Sequence, residues 1–179
     1  MSVQIHRLTG AGPSGSNITD VNTRCNAEDV HSTAGTNNPI LVPTAGTNYS
    51  YWVTTRLYYD GDDTGTINNI RWFTDGSNDL GTGLGCIGND ADAYTQATGT
   101  PGETGTELTA GNYPGLSGAP VDVFTLTSAS PRTIDGNVTD PNNEYFGEMM
   151  VFQVTVATTA AAGPTGSETF TWRYDSTIA

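Results

Sequence analysis

The chain has 179 residues, with 19 acidic against 6 basic side chains and a net charge of -13 at pH 7. All six basic residues are arginines, at positions 7, 24, 56, 71, 132 and 173. So acidic a surface has nothing to neutralise phosphates with, which excludes general nucleic-acid binding, and anionic membranes repel it.

Twenty-two glycines and a heavy use of Thr argue against helices, because Thr favours strands and Gly favours turns. Sixteen aromatics recurring along the chain argue against disorder. Period-2 alternation dominates from the start. Val3 and Ile5 alternate with Gln4 and His6 in a short first strand. Residues 9–37 are rich in Gly, Ser, Asn and Thr, and read as a long loop or arm with at most a short strand near Ile18–Arg24. Pro39 to Pro43 is a short extended apolar segment, with a proline at each end as at a sheet edge. Asn48 to Tyr59 predicts a strong strand, with Tyr49, Tyr51, Val53, Thr55, Leu57 and Tyr59 on one face. Asp60-Gly61-Asp62-Asp63-Thr64-Gly65 predicts a turn, and Ile67 to Thr74 a second strand that completes a hairpin.

Residues 76–120 are looser, with short strands expected near Leu84–Ile87 and Ala91–Thr98. Val121 to Leu126 reads as a strand, and Ile134 to Val138 as a weaker one. Tyr145 to Thr158 is apolar in both registers, which predicts a central strand covered on both faces, even though Gln153 and Thr155 interrupt it. Glu168 to Asp175 predicts a final strand with Phe170, Trp172 and Tyr174 on one face. Eight to ten strands and no helix predict an all-β, antiparallel β-sandwich of jelly-roll or immunoglobulin-like type with long loops. Residues 1–37 are expected to form an N-terminal arm, and residues 38–179 the sandwich domain.

No stretch approaches the length of a membrane span, and the opening residues carry no leader-like apolar run. Cys25 and Cys86 read as small buried or free thiols, with a single bridge as the alternative. No catalytic residue and no cofactor is expected. His6 and His31 sit in no nucleophile motif, and Cys25, His31 and Cys86 lack zinc-ligand spacing. Asp60, Asp62 and Asp63 are weak calcium candidates: they mimic the start of a calcium loop, but Arg71 stands where its last ligand belongs. Acidic turns at Asp90–Asp92 and Asp135–Asp140 carry further oxygen ligands, though such residues also serve turn geometry and solubility. An enzyme would need a carboxylate pair such as Asp122 and Glu148 facing a cleft. Tyr49, Tyr51, Trp52, Tyr58, Tyr59, Trp72 and Trp172 could bind sugar if exposed, but large rings of this kind more often fill a core.

The opening Met1-Ser2-Val3, the tract Ala45 to Trp52 and the ending Gly163 to Asp175, together with Gly/Thr/Ala loops, acidity and absent lysine, resemble the small β-rich virion proteins of tailed bacteriophages. That resemblance implies a capsid decoration, or cement, protein: a non-enzymatic homo-oligomer, a trimer, bound through its arm to the major capsid protein on the outer face of the virion after synthesis in the host cytoplasm. A tail, collar or fibre-associated domain and a carbohydrate-binding or adhesive module are the alternatives.

Overall fold

The computed structural model describes residues 2–33 and 37–178. The chain is all-β, with strands β1 (Ser2–Thr9), β2 (Ser14–Asn17), β3 (Thr47–Tyr49), β4 (Val53–Asp62), β5 (Thr66–Phe73), β6 (Leu84–Ala91), β7 (Gly99–Thr100), β8 (Thr104–Gly105), β9 (Val121–Asp122), β10 (Arg132–Thr133), β11 (Val138–Thr139), β12 (Asn142–Ala157) and β13 (Thr171–Ser176). A seven-stranded antiparallel sheet runs in the order β2-β1-β4-β12-β6-β9, with β3 also on β12. A second sheet is built around β5, which pairs with β10, β11 and β13. β7 and β8 form a small separate hairpin.

The two larger sheets pack face to face. Alternate residues of β4 (Val53, Leu57, Tyr59) and β12 (Phe146, Met150, Phe152, Val154, Val156) meet Ile67, Ile70 and Trp72 of β5 in one core. The opposite registers of β12 are also apolar, as the sequence predicts for a central strand. Met149 and Val151 lie in a second core with Tyr51, Trp52, Leu108, Tyr113 and Leu116, on the other face of the large sheet. That face is roofed by irregular chain from the 92–117 region and by residues near Ala27. The final strand starts at Thr171 rather than Glu168, and Phe170 just before it, with Trp172 and Tyr174 within it, packs on the inter-sheet core.

Four points refine or correct the expectations. The short strand expected at the start of the N-terminal segment forms over Ser2–Thr9 and is interior to its sheet, paired with β4 from Ser2↔Asp60 to Leu8↔Thr54. The reason is hydrophobic: Val3 and Ile5 pack on the inter-sheet core and Leu8 is buried in the second core. Further along, Ala27 is buried and its N–H donates to Asn38 O, so this part of the expected arm is also laid on the body. Residues 34–36 of it lie outside the described chain.

Secondly, β4 and β5 do not form a hairpin. β4 has both edges taken by β1 and β12, so the Asp60–Gly65 turn carries the chain across to the other sheet. The turn is held by a different segment: Asn143 Oδ1 accepts from Gly61 N–H, and Asp140 Oδ1 from Gly65 N–H.

Thirdly, the strand expected over 48–59 is broken at Ser50–Trp52. Ser50 exchanges bonds with Val154, its N–H donating to Val154 O and its hydroxyl accepting Val154 N–H. The extra residue shifts the register between Tyr49↔Thr155 and Val53↔Phe152, so Tyr51 joins Trp52 in the second core rather than Val53 in the first. Finally, 121–126 is a strand only at Val121–Asp122. Asp122 then caps a 3-10 turn over Val123–Thr125 by accepting the Phe124 N–H.

Candidate functional site

Asp60, Asp62 and Asp63 do not converge. Asp60 accepts a hydrogen bond from the Gln4 amide, and Asp63 accepts one from the Tyr59 hydroxyl. Asp62 sits at the end of β4, opposite Asn142. Among the described residues, no three His, Cys, Asp or Glu side chains approach closely enough to share a metal ion. Asp122 and Glu148 are likewise apart. Asp122 is level with Ile87 and, through it, with Gln153 on β12, five residues from Glu148, or roughly 15 Å of strand.

The histidines are built into the fold. His6 stacks on Tyr58 at 4.7 Å between ring centroids and meets the edge of Tyr145 at 5.4 Å. Its Nδ1 shares a hydrogen bond of 3.0 Å with the Tyr145 hydroxyl, and its Nε2 one of 2.9 Å with Gln4 Oε1. Burial lowers the His6 pKa, against the pull of Asp60. Arg56 completes the row: its guanidinium lies over Tyr145 and its Nε donates to Gly147 O. Gly15 on β2 closes over this row, where a Cβ would collide with the Tyr145 hydroxyl. Tyr58 thus stacks on His6 and meets Tyr145 edge-on at 5.0 Å between ring centroids, which ties these rings to one another. His31 shares a bond with Thr23 Oγ1, which also accepts from buried Arg7.

Cys25 and Cys86 are both free thiols. Burial raises both pKa values, that of Cys25 to about 11 although Arg7 lies near. At neutral pH both are protonated and poor nucleophiles. Of the aromatics singled out from sequence, Tyr51, Trp52, Tyr59 and Trp72 are buried, while Tyr49, Tyr58 and Trp172 are half-buried.

Two open clefts flank the short strand β10. The first, about 460 Å³, is lined by Asp90, Ser117, Ser130, Arg132 and Asp135, among others. Within it Arg132 Nε donates to Asp90 Oδ1 in an ion pair that joins β10 of the small sheet to β6 of the large one. Glu148 faces this pair. Its pKa is raised by burial first and then by the negative charges of Asp90, Asp135 and Asp92. The arrangement is an inter-sheet clasp in which Arg132 pairs with one of several neighbouring carboxyl groups.

The second cleft, about 420 Å³, lies beside Asn68, Asn69, Arg71, Thr133 and Asn137. It exists because β10 and β11 pair with β5 at Arg132–Thr133 and Val138–Thr139, and Ile134 still donates its N–H to Ile70 O, whereas residues 135–137 fall outside the ladder. β5 is kinked at the same place: Asn69 has a φ of 53°, and its register with β13 shifts between Arg173 and Asp175. Sequence reading missed this cleft, because no local pattern shows that two short segments share one neighbour.

Comparison with models of protein families, with curated proteins and with solved structures gave no match.

Proposed function

We propose that this chain is a non-catalytic structural protein that works through its surface, and specifically a bacteriophage capsid decoration protein attached to the major capsid protein. The observation that carries the reading is the use made of the chemically able side chains. His6, Arg7, Arg56, Arg132, Asp90 and Asp122 all hold the fold together, and both thiols are protonated by burial. Strand edge is free as well: among the described residues, β13 pairs on one side, with β5, and β2 pairs with β1 alone. Such edges accept a strand from another chain, and long loops add contact area.

This reading alters how attachment works. With β1 bound into the large sheet, the contacts to the shell, and those between copies in a trimer, fall to the β13 and β2 edges and to the loops rather than to an arm. The acidic surface keeps free subunits apart before assembly and does not compete for packaged DNA. The resemblance to phage virion proteins supplies the particle.

Quantitative mass spectrometry of purified particles from the source culture tests it. A copy number near that of the major shell protein is expected. A few copies per particle would move the assignment to tail or collar, and complete absence would overturn the virion reading.

A further inference from the structure

The outer edge of β13 has no neighbour among the described residues. The strand holds no proline and no bulge of its own, since the register shift between Arg173 and Asp175 comes from an extra residue on β5. Just past its end, Thr177 N–H donates to Thr66 O on β5. Backbone groups alternate in direction along a strand, so those of Arg173 and Asp175 turn to β5 and those of Trp172, Tyr174 and Ser176 to the open edge. Side chains alternate through the sheet. Trp172 and Tyr174 pack half-buried on the core, and Arg173 and Asp175 stand exposed on the outer face. Arg173 lies opposite Arg71, and like charges so placed are destabilising. Among the described residues Arg173 makes no ion pair and rests over the Phe73 ring at 5.6 Å, while Asp175 accepts from Asn69 Nδ2 through Oδ2.

We propose that two copies of this chain dimerise by antiparallel pairing of their β13 edges about a twofold axis at Tyr174. The backbone selects the register. Opposed residues must both direct their groups to the edge or both away from it, so the axis passes through a residue rather than between two. At Arg173 or Asp175 it would set that charge against its own copy. At Trp172 or Ser176 it would run the second strand past one end of β13. At Tyr174, the two Tyr174 residues face each other and Trp172 faces Ser176, each pair exchanging two backbone hydrogen bonds. Arg173 then faces Asp175 of the second copy, twice, in the non-hydrogen-bonded sites where side chains come closest. The added strand also covers what Trp172 and Tyr174 leave exposed. The strands of the small sheet hold Arg71, Arg132 and Arg173 against Asp175 as their one acidic residue, so repulsion between copies of net charge -13 is weakest here. The other open edge, β2, offers neither a charge nor an aromatic ring. The proposal goes beyond the particle reading and stands without it. In a particle it leaves the contacts about a threefold axis and to the shell to β2 and the loops.

Sedimentation equilibrium of the full chain, at concentrations from about 5 µM to about 1 mM, tests it. A monomer–dimer equilibrium is expected, with a Kd on the order of 100 µM because one strand pairing makes a small interface. Arg173→Asp sets Asp against Asp175, and Asp175→Arg sets Arg against Arg173. Each acts twice across the axis and should weaken the dimer at least about tenfold, and the variant carrying both should restore it to within about threefold. Should a variant fold poorly, the amide NMR signals of Trp172, Tyr174 and Ser176 in the unaltered protein should shift with concentration while those of β2 stay fixed. Three results would overturn the proposal: a monomer up to about 1 mM, a dimer indifferent to the single substitutions or not restored by the folded double variant, or shifts confined to residues outside β13.

Discussion

The two faces of the large sheet are buried by different means. The inner face meets a second sheet, and its core is built almost wholly of alternating apolar residues, from Val53 and Leu57 to Trp72 and Phe152. The outer face meets irregular chain, and there polar side chains stitch roof to sheet. Gln153, fully buried, accepts from Leu108 N–H and donates to the carbonyls of Ser50 and Thr106. Trp52 Nε1 donates to Thr95 O, and the Thr54 and Tyr113 hydroxyls meet at 3.3 Å. A strand can cover a sheet with its backbone bonds satisfied by its neighbours, whereas a loop must have its backbone groups satisfied by side chains. The lesson is that a polar residue in a central strand can be what holds a loop in place.

The sharpest way to break this contrast is to remove the largest inner-face side chain. Trp72 is 0% exposed and packs on Phe152 and Phe170, so Trp72→Ala should lose about 3–5 kcal/mol in urea unfolding and destabilise both sheets together. Gln153→Leu keeps the volume but leaves the Leu108 N–H and the Ser50 and Thr106 carbonyls without their partner. A loss of about 2–4 kcal/mol is expected, with hydrogen exchange rising first in residues 104–113.

A smaller effect appears in alkali. The folded state holds Cys25 as the neutral thiol, with its pKa raised to about 11, so the stability tied to that form is intact below pH 9 and declines between pH 9 and about 11. In Cys25→Ser the decline over that window should be shallower, as measured by melting temperature against pH. The smallest effect concerns the clasp at the sheet rim. The raised Glu148 pKa means the fold disfavours its anion, so Glu148→Gln should stabilise at pH 7 by about 0.5 kcal/mol or less. The gain should fade as pH drops through the ordinary Glu range and vanish below about pH 3, where Glu148 is protonated in both states.

Much of the inner face was legible because it obeys a period. The double apolar register of β12 announced a strand covered on both sides, and the alternating aromatics Phe170, Trp172 and Tyr174 announced a docked final segment. The outer face was not, for local reasons. Gln153 read as an interruption of an apolar stretch, although it is the anchor. Ser50 read as one alternating residue, although its bonds to Val154 shift the strand and send Tyr51 to the opposite core. The Asp-Gly turn read as a hairpin because its chemistry fits one. Its flanking strands instead part to different sheets, a choice made by β1 and β12 taking both edges of β4. The Arg71–Arg173 pair could not be read at all, since only the register of β13 on β5 makes the two neighbours.

Native-state hydrogen exchange followed residue by residue tests the central contrast most directly. The account predicts slowest exchange in β4 and β12, opening only with global unfolding, and a separate, faster opening for residues 92–117 that Gln153→Leu accelerates. Uniform protection across both regions, with no separate opening in either protein, would contradict it.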